Sequence, residues 1–329
     1  MKNDLHMPRR KWLKLGFGLA AGTLGSGYLL SKNAGTADHC DPTLRQELGP
    51  FPPMKFRLQA DHDVDLTKIA GQEGRAAGEV IVAHGKILDT DCKPLEGAIV
   101  EIWQANHFGK YHHEFDKDGQ DDPFFQGWGQ AVTNANGEYR FTTVVPGLYD
   151  QRTRHIHFKV SKRGYHELTT QLYFDGEERN STDGILNSFT HEEQQRVIRK
   201  LNKTSLQPSI EFDIVIRQVM KDGIPEKVLA EYNGNYELQY KGTPNEGFIN
   251  ELLGGPYEKV VMNVENEGSL LYFTLPFAPK SEIFWKAKDR FDAGSFFRAE
   301  LQFLRDATGK VSGFAFKWEG EPDLSGIKV

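Results

Sequence analysis

Short runs rich in β-branched and aromatic residues recur at 79–89, 97–104, 131–144, 154–161, 168–174 and 210–217. Turn-forming stretches separate them, such as Asp91 to Pro94 and Asn134-Ala-Asn-Gly137. That spacing predicts an antiparallel β-sandwich. One helix is expected: Thr190 caps it, Glu193 completes a capping box, and the pattern runs to about Leu201. Residues 105–130 have no period and are rich in Gly, Asp, His, Phe and Trp. Long ordered loops inside compact domains are usually functional. A second alternating series covers Tyr232–Tyr240, Lys259–Val264, Ser269–Leu275, Ile283–Lys288, Ala299–Arg305 and Val311–Trp318. Glu265-Asn-Glu-Gly268 and Asp306-Ala-Thr-Gly309 make hairpin turns in it, and a small barrel or curled sheet follows. The expected fold class is all-β. An antiparallel β-sandwich domain at 38–218 leads through a charged linker with Gly223 and Pro225 to a β-barrel-like module at 226–329.

Residues 1–37 read as an address. Arg9 and Arg10 open the run RRKWLK, and a weakly apolar, Gly-rich stretch from Leu15 to Leu30 follows. That stretch is short for a membrane span. Gly35 and Ala37 suit a cleavage site. The segment resembles a twin-arginine export signal, which implies a periplasmic or extracellular protein with no stable membrane span after its removal. An uncleaved N-terminal anchor is the alternative. The two cysteines, Cys40 and Cys92, both lie beyond this segment and could pair in an oxidising compartment. Two cysteines do not make a Cys-rich zinc site.

Charge narrows the partners. The 329 residues carry a net charge of −6. The first 37 hold six bases and one acid, which leaves 34 bases against 45 acids beyond them. An acidic body argues against nucleic acid as a partner.

The sharpest local signal is Arg152-Thr-Arg-His-Ile-His157. On a strand, His155 and His157 share one face, while Ile156 and Phe158 take the other. Alone, such a pair reads equally well as decoration. Tyr149 on the turn entering that strand and Tyr111 in the long loop add two phenols, which together suggest an N₂O₂ site. Phenol has a pKa near 10. Ligation at neutral pH therefore needs a hard, strongly Lewis-acidic cation, and trivalent iron fits. Two phenolates and one hydroxide would neutralise its charge. Zinc more usually takes His, Cys or carboxylate ligands.

With these residues in view, 40–217 resembles the intradiol ring-cleavage dioxygenases, iron(III) enzymes that split catechols between the two hydroxyl-bearing carbons. The resemblance rests on Gly49-Pro-Phe51, Gly97-Ala-Ile-Val-Glu-Ile-Trp-Gln-Ala-Asn106, Gly109-Lys-Tyr111, Asn136-Gly-Glu-Tyr-Arg-Phe141, Pro146-Gly-Leu-Tyr149, His155-Ile-His157 and Thr170-Gln-Leu-Tyr-Phe174. It implies that Tyr111 and His155 are equatorial ligands and Tyr149 and His157 the axial pair. It also implies that Arg152 lies beside the substrate ring and that Gln171 supports the site from behind. Tyr149 would act as both ligand and base. Arg152 would stabilise negative charge on the ring. The implied partners are a catechol and O₂, and the product a cis,cis-muconate. Pro52, Asp150 and Thr153 depart from the family pattern and bear on the substrate. For a carboxylated substrate, Arg154 and Lys110 are candidate cations.

Weaker features remain. His107, His112 and His113 flank Tyr111, and Phe125 and Trp128 are candidates for a pocket wall. The acidic run Asp116–Asp122 has the wrong spacing for an EF-hand. The second series weakly resembles β-barrel modules of some exported serine hydrolases, through Tyr232–Leu238 and Phe303–Gly313. A non-catalytic exported binding protein of the same shape is the competing reading, and another metal in the same pocket a third. The sequence leaves homo-oligomerisation open.

Overall fold

The computed structural model describes residues 39–53, 62–113, 116–204, 206–220, 223–241, 259–276, 278–293, 299–317 and 323–329. Segment 1–37, expected to be an export signal, lies outside them. Among the described residues no helix is long and apolar enough to cross a membrane.

Two sheets form the first part of the chain. One pairs β1 (Val80–Leu88) with β4 (Glu138–Val144), and the short β8 (Ser209–Glu211) and β9 (Ile214–Val215) also join β1. The other has the order β3-β2-β5-β6-β7, from Trp128–Val132, Ile99–Trp103, His155–Ser161, Leu168–Phe174 and Ile198–Arg199. Apolar residues of both sheets meet in one core, including Ile81, Ile87 and Phe141 from the first and Val100, Ile156, Phe158 and Leu172 from the second.

The expectation of purely antiparallel sheets needs correction. The long strands pair antiparallel, but β8 and β9 join β1 in parallel, and β7 joins β6 in parallel. These edge strands are two or three residues long and show no period of their own. The expected run at 131–144 is two strands around the Asn134 turn, and that at 210–217 is also two. Helix α1 (His191–Val197) has the expected capping box but stops at Val197, not near Leu201. Ile198 and Arg199 turn extended because they pair with Tyr173 and Phe174. Sheet pairing there overrides helical propensity.

The second part is a closed eight-stranded barrel. Its strands are β10 (Gly234–Lys241), β11 (Val261–Glu267), β12 (Leu270–Leu275), β13 (Ala278–Ala287), β14 (Arg290–Asp292), β15 (Glu300–Arg305), β16 (Val311–Lys317) and β17 (Asp323–Lys328). Closure comes from the antiparallel pairing of β10 with β17. Inward residues such as Tyr232, Tyr236, Phe291, Phe303 and Phe314 fill a core separate from the first. The sequence reading missed β14, only three residues long, and β17. Cys40 and Cys92 are disulfide-bonded, their Cα atoms 5.2 Å apart.

Candidate metal centre

Strand β5 presents Ile156, Phe158 and Val160 to the core. Alternation therefore turns His155 and His157 to the opposite face. Register builds a row across that face: Trp128 opposite Trp103, Trp103 opposite His157, and His157 opposite Gln171. The His157 imidazole stacks on the Trp103 indole, with ring centroids 4.7 Å apart and planes 7° from parallel.

The two tyrosines arrive on loops, and two glycines let those loops touch. Gly109 has φ +83°, and a Cβ there would stand 2.1 Å from the Leu148 carbonyl oxygen. A Cβ on Gly147 would lie 2.2 Å from the Gly109 nitrogen. Only bare backbone fits on either side. The Gly147 N–H also donates to the Asn106 carbonyl at 2.8 Å. Asp116 accepts the Tyr111 N–H at 2.7 Å, so this acid of the Asp116–Asp122 run anchors Tyr111. The outcome is a Tyr111–Tyr149 edge-to-face contact at 5.3 Å. Phe51 covers both rings, at 5.4 and 5.6 Å.

Tyr111, Tyr149, His155 and His157 thus converge. The Tyr111 hydroxyl lies 2.9 Å from His155 Nε2. His155 Nδ1 lies 2.7 Å from the Thr153 carbonyl oxygen, a contact that places the proton on Nδ1 and turns the Nε2 lone pair inward. Tyr111, His155 and His157 are buried and Tyr149 is half-buried. Burial, with the nearby Arg152 charge, pulls His155 down to about 3. Burial, then His155 and Arg152, hold His157 well below its ordinary value. Burial raises Tyr111 above the usual phenol range, against the pull of Arg152. Among the described residues no group of three or more His, Cys, Asp or Glu could hold a metal. The tyrosines are therefore essential to any four-donor set here.

Arg152 and Gln171 sit behind this cluster in one buried network. Arg152 Nε donates to Asp183 at 2.7 Å, and its Nη2 to Gln171 Oε1 at 2.7 Å. The Tyr173 hydroxyl donates to Gln46 Oε1 at 2.8 Å and lies 3.1 Å from Gln171 Oε1. Burial works against the Arg152 charge, but Tyr173 and Asp183 outweigh it and the guanidinium stays charged. Sequence reasoning missed Asp183 and Gln46. The only available hint was that a buried arginine needs an acid, and nothing in the pattern says which one.

A family model described as a dioxygenase matches residues 52–218. The protocatechuate 3,4-dioxygenase beta chain of Burkholderia cepacia is 34% identical over 205 residues, spanning 55% of this chain and 87% of that one. The chain belongs to the intradiol dioxygenase family. Catechol 1,2-dioxygenase 2 of Acinetobacter lwoffii is 33% identical over 158 residues, covering 40% of this chain and 54% of that one. A solved structure is also similar: the dioxygenase domain of a dioxygenase carbohydrate-binding protein fusion from Streptomyces sp. SirexAA-E. It is 32% identical over 54% of this chain and 99% of that chain, with a TM-score of 0.42.

Two departures from the family pattern have physical consequences. Asp150 has φ +48°, a left-handed conformation closed to the proline usual in the family. The Thr153 N–H donates to Asp183 at 2.9 Å, a bond proline could not make. Other candidates fall outside the cluster. Lys110 pairs with Asp121 at 2.9 Å and Arg154 with Glu177 at 3.1 Å. Phe125 belongs to the main core, whereas Trp128 packs with Tyr111 and Trp103. Of the three loop histidines, His113 reaches the site wall, 5.1 Å from Phe51.

Proposed function

We propose that this chain is an exported, non-haem iron(III) intradiol dioxygenase that opens a catechol-type ring with O₂ to a cis,cis-muconate-type product. The observation that carries the reading is the convergence of two phenols and two imidazoles in a largely buried cluster of a family member. The donor set fits ferric iron. The imidazoles are kept neutral by burial, and the buried Tyr111 phenol would ionise only against a strong, hard cation. Tyr111, Tyr149, His155 and His157 would hold the ion. When bound, it supplies the Lewis acidity and the one-electron redox partner that oxidation of a catechol by O₂ requires.

The chain's own residues do the rest. His155 offers Nε2 because Thr153 holds the proton on Nδ1. Tyr149 is the more exposed phenol; held as a phenolate by the ion, it would accept a catechol proton at its phenolate oxygen and become the neutral phenol. Arg152 places a fixed positive charge beside Tyr111 and His155, where charge develops on the ring. Gln171 and Asp183 hold that guanidinium in place. Phe51, Trp103 and Trp128 give the substrate an apolar wall. In this reading the two sheets stack as a β-sandwich catalytic domain at 38–218, 226–329 is a separate module, and 1–37 directs export by the twin-arginine route. With Lys110 and Arg154 already ion-paired, an uncharged catechol is favoured over a carboxylated one.

The test is the visible spectrum of purified, iron-loaded protein before and after anaerobic addition of catechol. The expected result is a wine-red tyrosinate-to-iron charge-transfer band that shifts on catechol binding, with ring cleavage once O₂ is admitted. Protein that stays colourless after iron reconstitution overturns the reading in favour of a non-catalytic binder.

A further inference from the structure

The segment 39–51 has no regular secondary structure but is fastened along its length. Cys40 is tied to Cys92, and Thr43 exchanges hydrogen bonds with Val215 at 3.0 and 2.9 Å. The Gln46 N–H donates to the Thr169 carbonyl at 2.7 Å. Its side chain meets the Gln171 carbonyl and the Tyr173 hydroxyl, so it belongs to the network holding Arg152. The Glu47 carbonyl accepts Gln171 Nε2 at 3.0 Å. Leu48 packs with Trp103 and Tyr111, and a Cβ on Gly49 would stand 3.2 Å from the His157 ring. With Phe51 over both tyrosines, this strap forms one wall of the site.

Arg45, next to Gln46, points away from the site to the barrel. Its guanidinium pairs with Asp292 of β14 and lies 4.0 Å above the Phe284 ring of β13. The barrel is independently fixed to the site-bearing sheet. Lys159, two residues beyond His157 on the same face of β5, donates to the Lys280 carbonyl at 2.5 Å and pairs with Glu167 at 3.2 Å. Glu282 of β13 accepts the Glu167 N–H at 2.8 Å and contacts His166 at 2.6 Å.

We propose that the barrel is a positioning element for the metal centre: through Arg45 it holds the strap against β6, so that Gln46, Leu48 and Phe51 complete the pocket wall. Arg45 is then a positioning residue that touches neither substrate nor the donor set. The role of that wall in binding rests on the function proposed above, whereas the clamp on the strap does not.

The experiment uses the full chain in two states. Without metal, amide exchange across 43–51 is compared in wild type, Arg45→Ala, Asp292→Ala and Arg45→Lys. Both alanine variants leave the strap docked only about a fifth of the time, so the Gln46 amide loses nearly all its protection while β1 amides are unchanged, and Arg45→Lys is closer to wild type because it keeps the ion pair. Loaded with iron, the alanine variants show KM for catechol raised about fivefold at unchanged kcat, since a wall populated only part of the time weakens binding in proportion. Unchanged exchange in both alanine variants overturns the proposal. So does faster exchange with an unmoved KM, because the strap then does not shape the pocket. If no variant, wild type included, cleaves catechol, the function reading fails, and the exchange data alone decide the clamp.

Discussion

The molecule has two aromatic clusters of similar make-up and opposite character. In the barrel, Tyr232, Tyr236, Phe291, Phe303 and Phe314 are all fully buried. Each phenol there is answered by the barrel itself. The Tyr236 hydroxyl donates to the Tyr232 carbonyl at 2.5 Å, and the Tyr232 hydroxyl to Asp289 at 2.9 Å. At the site, Phe51, Trp103, Tyr111, Trp128 and Tyr149 surround two imidazoles. There Tyr111 meets an imidazole nitrogen rather than a carbonyl, and the buried Trp103 Nε1 and Trp128 Nε1 find no hydrogen-bond partner. Buried polar atoms are normally satisfied, and a concentration of exceptions marks a place built for something other than packing. Aromatic richness alone does not separate a core from a catalytic pocket. Where the polar ends point does.

Removing a donor from the site breaks the comparison most sharply. His155→Ala should lower kcat by more than about 100-fold, beyond the loss typical of disturbing only a ligand's outer partner. Iron content should fall with it while the far-ultraviolet circular dichroism is kept. Turnover with catechol and metal analysis on the same preparation check this. Retained iron and rate would remove His155 from the donor set.

The two parts also each hold an arginine–aspartate pair, and these should differ next most. Asp183 is fully buried against Arg152, whereas the Arg305 and Asp289 side chains are 20% and 19% exposed. Breaking a buried pair strands a charge and costs about 3–5 kcal/mol. An open pair is worth about 1 kcal/mol or less. Asp183→Asn should therefore destabilise far more than Asp289→Asn in urea unfolding. Acid sharpens the contrast. Burial alone would raise Asp183, but the Arg152 charge and the Leu186 N–H outweigh it, so its folded pKa sits below 3.8. A depressed folded pKa gives stability that is fully present above the unfolded value and lost as pH falls through the folded one. The gap between wild type and Asp183→Asn should be constant near neutrality and shrink below about pH 3.8.

What could be read from sequence follows the range of the forces involved. The alternation of His155 and His157 with Ile156 and Phe158 is local, and it gave the correct face of β5. The capping box at Thr190 and Glu193 is local too, and it is present. The end of that helix is not local, because pairing with β6 stops it. The approach of Tyr111 to Tyr149 depends on Gly109 and Gly147 meeting across 38 residues of chain. Each glycine was visible in a motif, but their contact was not. Asp183 and Gln46 carry no periodic or motif signal: Asp183 meets Arg152 across 31 residues of chain, and Gln46 meets Tyr173 across 127. Glu167 and Glu282 look like surface acids in the sequence, yet they lie buried between the sheet and the barrel.

The smallest effect expected is the control that gives the others meaning. Tyr236→Phe removes a buried hydroxyl and leaves the Tyr232 carbonyl without its donor, at a cost of about 1 kcal/mol. The ring stays, so its contacts with Phe303 and Phe314 stay. Burial pushes the Tyr236 phenol well up, as it does Tyr111, so neither ionises on its own near neutral pH. A high phenol pKa therefore cannot distinguish the two tyrosines, and only what faces the oxygen can. Tyr236→Phe should lower Tm by a few degrees while the iron-loaded spectrum and kcat keep their wild-type values. Tyr111→Phe, chemically the same deletion, should remove the Tyr111 share of the charge-transfer band and shift what Tyr149 leaves. If both variants lost colour alike, the polar ends of the two clusters would not be the feature that separates packing from chemistry.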